Sequence, residues 1–219
     1  GILFSFRNIT RGGIMAEITL IEPQKKDKER CNVYVDGVFY CGIKLEVALK
    51  YRLKTGMQIE KSRLDEIQLE TEKSQALDKA MNFISAAMKT KKQVRDYLDK
   101  KGYTQAVADF VIEKLEYYKF LDDYAYCRAY VAGVSGKGKR AIENDLFKRG
   151  AERKAVEEAL AEIEEDADAA LAVLTKYMRG KESTKENLYK GFKYLLSKGY
   201  GYDTAKSALS GFGVDDEDY

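Results

Sequence analysis

The stretch Thr90-Lys91-Lys92-Gln93-Val94-Arg95-Asp96-Tyr97-Leu98-Asp99-Lys100-Lys101-Gly102 decides the fold. Thr90 and Gln93 are spaced as a capping box, in which each side chain takes the other residue's backbone N–H, so a helix starts here. Val94, Tyr97 and Leu98 turn one face inward, and Gly102 stops the helix in the left-handed conformation that a C′ residue needs. Upstream, Leu77, Ala80, Met81, Ile84 and Met88 recur at helical spacing; downstream, Thr104 is placed to cap a third helix whose apolar face is Ala108, Val111, Ile112 and Leu115. Three short helices make one unit.

The unit recurs. Gly102, Gly150 and Gly199 are followed six residues on by Ala108, Val156 and Ala205, ten on by Ile112, Leu160 and Leu209, and thirteen on by Leu115, Ile163 and Phe212. Leu98, Leu146 and Leu195 stand four residues before them. Five anchors in register three times predict tandem three-helix repeats over 74–121, 122–167 and 168–214, an elongated, mainly α-helical chain of three copies. A second capping box, Ser183-Thr184-Lys185-Glu186, opens the middle helix of the third copy.

Before the repeats, residues 15–73 read as a small α+β module. Two strand-like runs flank Asp36-Gly37, the strongest short hairpin signal because a type I′ turn needs positive φ at both positions. Ile18, Leu20 and Glu22 share one parity. A short helix through Leu45, Ala48, Leu49 and Leu53 is expected to end at Gly56, and another to run through Leu64, Ile67 and Leu69. Residues 1–14 read as a leader, and 215–219 as an acidic tail.

The 219 residues include no histidine and no tryptophan, with one proline and three cysteines. Without histidine, Ser-His-Asp and Cys-His triads and His-ligated zinc are excluded. Cys31, Cys41 and Cys127 have neither disulfide-framework nor metal-knuckle spacing and are expected to be small buried residues of a reducing, cytoplasmic compartment. No run approaches the length of a membrane span, and no cofactor or membrane partner is expected.

The 38 basic and 36 acidic residues nearly cancel, but in bands. The net charge is +5 over 77–150, −6 over 151–168, +5 over 169–214 and −4 over the tail. The candidate binding residues are the cations of the basic bands. Lys89, Lys91, Lys92 and Arg95, then Lys137, Lys139 and Arg140, sit at the starts of successive middle helices, where unpaired N–H groups would add positive potential. Lys185, Lys190 and Lys193 form a third group, and Lys100, Lys101, Lys148 and Arg149 precede the repeat glycines. A solvated lysine face is the plain alternative for any one of them. Ser135-Gly136-Lys137-Gly138-Lys139-Arg140 lacks the spacing of a phosphate-cradling loop. Asp122-Asp123 read as helix caps rather than a metal or acid–base pair, and the sixteen tyrosines mostly as core.

Three segments resemble the RecX family: 91–103 (basic pair, short helix, L-x-x-K-G), 120–130 (Phe120-Leu121-Asp122-Asp123-Tyr124-Ala125-Tyr126-Cys127-Arg128-Ala129-Tyr130), and 137–150 (Lys137-Gly138, then Ile142, Leu146 and Gly150). They lie in order within about 75–165. The module at 17–72 is similar to the N-terminal extension of the longer, Gram-positive-type members. Lys89-Thr90-Lys91-Lys92 keeps the charge of the family's usual Arg-x-Arg-Ser but loses its guanidinium forks. The resemblance implies a non-enzymatic, monomeric regulator that binds the RecA–single-stranded DNA filament, with double-stranded DNA a further candidate. Such a protein restrains recombinase, ATPase and coprotease activity in homologous recombination, DNA repair and the SOS response. The alternatives from the residues themselves are a stand-alone nucleic-acid-binding helical repeat protein and, more remotely, a carboxylate–metal hydrolase using Asp122 and Asp123.

Overall fold

The computed structural model describes residues 9–10, 13–25, 27–164 and 166–212. Most of the segment read as a leader and all of the acidic tail lie outside them, as do Lys26 and Glu165. The chain divides into two compact units, Gly1–Asn82 with Lys101–Val111, and Phe83–Lys100 with Ile112–Tyr219.

In the first unit an antiparallel sheet is built on β2 (Gly13–Pro23), which pairs with β1 (Ile9–Thr10), β3 (Arg30–Val35) and β5 (Gln58–Glu60); β4 (Val38–Lys44) pairs with β3. Asp36 and Gly37 take φ of 49° and 81°, as the hairpin reading requires. The Asp36 carboxylate accepts the Glu17 N–H at 2.9 Å, and the Gly37 N–H donates to Thr19 Oγ1 at 3.0 Å, which pins the turn to β2. The expected parity of Ile18 and Leu20 fails: a register shift between them leaves Ile18 buried and Leu20 43% exposed. An extra residue in one strand turns the following side chains to the opposite face. Ile18, Val33, Ile43, Val47, Ile59, Leu64 and Ile67 fill the core beneath.

Two helix expectations change here. The first, α1 (Leu45–Lys50), ends before Leu53, because Arg52 adopts a φ of 52°. The second is one uninterrupted helix, α2 (Lys61–Ser85), running across the expected module boundary at 73/74 and joining what read as two helices. Glu70, Glu72, Lys73, Gln75 and Ala76 are strong helix formers, and no Gly or Pro lies between 61 and 85 to stop it.

The helices that follow are α3 (Lys91–Lys100), α4 (Gln105–Tyr117), α5 (Asp123–Gly133), α6 (Lys139–Lys148), α7 (Arg153–Ala161), α8 (Ala167–Met178), α9 (Lys185–Ser197) and α10 (Tyr202–Ser210). The capping box forms: the Thr90 N–H donates to Gln93 Oε1 at 3.1 Å and the Gln93 N–H to Thr90 Oγ1 at 3.2 Å. Thr184 caps α9 and Asp166 caps α8. In the second unit, one core joins α5, α6 and α7 around Cys127, Leu146 and Val156, and another joins α8, α9 and α10 around Leu174, Leu195 and Ala205. Gly102, Gly150 and Gly199 have φ of 84°, 77° and 89°. At the latter two the leucine four residues earlier does double work. Leu146 and Leu195 bury their side chains, and their carbonyls accept the N–H of Ala151 and Tyr200.

These glycine turns also join the repeats. The Thr90 hydroxyl donates to the Arg149 carbonyl at 2.9 Å, so the end of α6 meets the start of α3. The Gly138 N–H donates to the Lys198 carbonyl at 2.9 Å and the Arg140 N–H to the Gly199 carbonyl at 3.2 Å, so the end of α9 meets the start of α6. The second junction is backbone against backbone: a Cβ on Gly138 would lie 2.2 Å from the Tyr200 nitrogen, and one on Gly199 2.3 Å from the Ala141 nitrogen. Nothing lies within 4 Å of a Cβ built on Gly102. Gly102→Ala therefore carries only left-handed strain, about 1–2 kcal/mol. Gly199→Ala adds a backbone collision and should cost about 3 kcal/mol or more. Urea unfolding of the two variants reads the difference; equal losses would mean the junction yields without cost.

Candidate nucleic-acid interface

The junctions rearrange the predicted basic row. Cations that open one middle helix and cations that close the next one come together. At the first junction the start of α3, with Lys91 and Lys92, docks on the turn that follows Lys148 and Arg149, and the Lys92 methylenes occupy the space a Cβ on Gly150 would need. At the second, Lys139 and Arg140 of α6, with Lys137 just before them, meet Lys198. Lys185, Lys190 and Lys193 lie on α9 and take part in neither hydrogen-bonded contact, while Lys100 ends α3 and Lys101 stands in the turn before Gly102.

Several candidates are partly neutralised. Lys91 is the most changed from its expected role: its ammonium pairs with Glu116, and with Glu152 at 3.1 Å. Burial works against its charge, but these carboxylates win and hold its pKa above the usual lysine value. Lys92 pairs with Asp96 at 2.6 Å, Lys137 with Asp145, and Lys190 with Glu186 at 2.6 Å. Lys89, Arg149 and Lys193 stand over the rings of Phe83, Tyr130 and Tyr189 at 5.1, 4.8 and 4.4 Å. Arg95, Lys101, Lys139 and Lys185 also hold interactions within the chain. Arg140, Lys148, Lys185 and Lys193 are exposed.

The expected open N–H groups at the middle-helix starts are in fact occupied at α3 and α6. The Lys91 N–H donates to Asp123 and the Gln93 N–H to Thr90, while Arg140 and Gly138 donate into the α9 turn. The positive field there is therefore carried by side chains.

Asp123 is the residue whose position sequence reasoning missed. Asp122 behaves as read, capping α5 through the N–H groups of Tyr124 and Ala125 at 2.9 and 3.1 Å. Asp123 is only 2% exposed and serves other helices: its carboxylate accepts the Lys91 N–H at 2.8 Å and the Glu152 N–H at 2.9 Å, at the starts of α3 and α7. Burial pushes its carboxyl above the ordinary aspartate range, against the pull of both N–H donors. The signal was available as an acid beside a sufficient cap, but nothing local says which distant helix it serves. Both carboxylates thus accept backbone N–H groups, the part that helix caps play. Among the described residues no cluster of three Cys, Asp or Glu side chains is placed to hold a metal.

The cysteines are unpaired; Cys31 and Cys127 are buried and Cys41 half-buried, and burial pushes the Cys41 and Cys127 thiols up to about 11. The tyrosines are less uniformly internal than expected: Tyr117 and Tyr118, with Phe120, are more than half exposed at the end of α4. Among the described residues no helix is long and apolar enough to cross a membrane.

Fold and site together define a mainly helical repeat protein with an N-terminal sheet module and cation-lined repeat junctions. Residues 16–60 match the family model described as the regulatory protein RecX N-terminal domain, and 76–115 the one described as RecX, first three-helix domain. The chain is 32% identical over 202 residues to the regulatory protein RecX of Clostridium botulinum (strain Eklund 17B / Type B), covering 89% of this chain and 95% of that one. It is 31% identical to the regulatory protein RecX of Bacillus subtilis (strain 168), over 89% of this chain and 76% of that one. A crystal structure of regulatory protein RecX superposes with a TM-score of 0.71 at 23% identity, covering 87% of this chain and 97% of that chain. RecX from Lactobacillus salivarius gives 0.61, over 65% and 97%. The chain belongs to the RecX family of regulatory proteins.

Replacing Asp123 by alanine strands two helix-start N–H groups and should cost about 2–4 kcal/mol. Asp123→Asn, which can accept at one oxygen only, should lose about half of that. Denaturant unfolding of both variants checks the order, and an asparagine variant as stable as the parent would show that one bond suffices.

Proposed function

We propose that the chain binds the RecA–single-stranded DNA filament and restrains its recombinase, ATPase and coprotease activities, acting by binding and not by catalysis. Membership of the RecX family supports the regulatory role. The observation that carries the binding mode is the pair of junctions, where α3 meets α6 and α6 meets α9, each gathering cations from two repeats. Two similar basic sites on one chain suit a partner that repeats along its length, whether they meet phosphate or acidic protein, because the second contact benefits from the effective concentration set by the first. On this reading the protein modulates homologous recombination, DNA repair and the SOS response, works in the cytoplasm and acts as a monomer.

The rival is a stand-alone nucleic-acid binder, and salt separates the two. Binding to phosphate alone falls with salt at a log–log slope of about 0.7 per phosphate on single strands, whereas filament restraint should persist at protein concentrations where naked DNA is scarcely bound. Arg140→Glu with Lys148→Glu reverses one exposed cation at each junction. In a RecA strand-exchange assay it should weaken inhibition about tenfold or more, the loss expected for two phosphate- or carboxylate-facing charges, with the circular dichroism spectrum and melting temperature close to the parent's. Undiminished inhibition would remove the junctions from the binding site.

A further inference from the structure

Two surface clefts among the described residues of the second unit are of opposite character. One, of about 260 Å³, borders the starts of α3 and α7 and is lined by five carboxylates, Asp123 among them, against three lysines. The other, of about 370 Å³, is lined by Gly136, Val173, Lys176, Tyr177, Tyr194 and Lys198, without a carboxylate. Its walls follow from helical spacing. Val173, Lys176 and Tyr177 share one face of α8, Tyr194 of α9 and Lys198 at that helix's C-cap are one turn apart, and Gly136, at a φ of 67°, carries the 134–138 loop past Val173.

The aromatic rings form a cation-flanked pair. Tyr177 and Tyr194 stack with centroids 4.4 Å apart and planes 21° apart. The Lys181 ammonium stands 3.2 Å from the Tyr177 centroid, and that of Lys198 5.2 Å from the Tyr194 centroid. Lys198 also ties the cleft to the second repeat junction, since its carbonyl accepts the Gly138 N–H. Stacked half-buried tyrosines beside three lysines, with no lining carboxylate, match what a single strand offers: flat bases with π-faces and a phosphate on every residue. Duplex DNA keeps its bases stacked on each other and offers backbone and base edges but no free π-face.

We infer that this cleft is a single-stranded nucleic-acid subsite, in which a base packs against the Tyr177–Tyr194 pair and the neighbouring phosphates meet Lys176 and Lys198. Lys181 is exposed at the end of a flexible stem, and exchanges its place on the Tyr177 ring for a phosphate as the base arrives. The subsite rests on the proposed filament reading for its biological setting, but its chemistry can be measured without RecA.

The test uses the full chain and a fluorescein-labelled oligo(dT), with anisotropy titrations across a salt series. Lys176→Gln with Lys198→Gln should weaken binding about tenfold and flatten the log–log salt slope by about 1.4, two phosphates at 0.7 each. Tyr177→Leu should weaken binding fivefold or more at unchanged slope, since stacking releases no counterions. Should that variant fold poorly, lysine acylation of the parent protein gives the same answer: oligo(dT) protects Lys176, Lys181 and Lys198 and leaves Lys54 reactive. Full affinity and slope in the lysine variant, absence of that protection, or equal binding of a duplex of the same length would overturn the subsite. Parallel strand-exchange assays keep the two readings apart. If the parent fails to restrain RecA, the filament reading falls while the oligo(dT) result stands. If the parent restrains RecA but the lysine variant binds oligo(dT) normally, the subsite alone falls.

Discussion

The second unit depends on the contact between the closing turn of one middle helix and the opening turn of another. A helix end leaves carbonyls without partners and a helix start leaves N–H groups without them; each carries a partial charge opposite to the other. Where α6 meets α3 and α9 meets α6, these complementary ends meet directly, and residues 59 apart in sequence, Thr90 and Arg149, share a hydrogen bond. The second junction brings backbones so close that Gly138 and Gly199 have no room for a Cβ. At the first, a threonine hydroxyl and lysine methylenes fill the gap, which tolerates more side chain on one partner. The repeat glycine is thus selected twice, by its own left-handed φ and by what abuts it.

That contact explains why the cations gather. Lysine and arginine near a helix C-terminus offset the negative end of the dipole, which accounts for Lys148, Arg149 and Lys198 whatever else they do. Docking such an end on the next helix start brings those cations beside Lys91 and Lys92, or Lys139 and Arg140. Like charges so placed repel, and the chain answers with carboxylates: Glu116 and Glu152 on Lys91, Asp96 on Lys92, Asp145 on Lys137. Exposed pairs of this kind contribute little to stability, so a polyanion that displaces a carboxylate gives up little in doing so. Lys91 differs, because it is half-buried and held by two acids beside the Asp123 bonds; its part is to fix the start of α3.

Much of this architecture is legible one residue at a time. The Thr90–Gln93 capping box, the hairpin at Asp36-Gly37, the Asp122 cap and the leucine–glycine register are local signals whose physics operates within a few residues, and each forms as read. What escapes is non-local or depends on counting. Residues 70–76 are mostly good helix formers with no glycine or proline among them, so hydrophobic period alone does not reveal that α2 passes through them. A single register shift in β2 turns Leu20 outward although its alternation is faultless. Asp123 looks like a duplicate of Asp122, and only the fold shows it reaching the starts of α3 and α7. The candidate cations were identifiable by charge, but their pairing across repeats was not, because the junction geometry is set by glycines that read merely as helix stops.

The contrast between the two clefts carries the last step. Both are of similar size and both open beside lysines, so neither volume nor basic count distinguishes them; the acids do. Around Lys91 five carboxylates outnumber three lysines: Glu116 and Glu152 pair with Lys91, Glu158 with Lys154, and the buried Asp123 is already committed to two N–H groups, which leaves little positive field for an incoming anion. Beside α8 and α9, tyrosine faces take the place of acids as lysine partners. A ring attracts an ammonium through its quadrupole, far more weakly than a carboxylate does, so the same lysines are held in position yet remain able to meet a phosphate. Exchanging acid for aromatic around a lysine therefore converts a structural tie into a surface fit for a nucleic acid strand, and the chain uses both arrangements within a single unit.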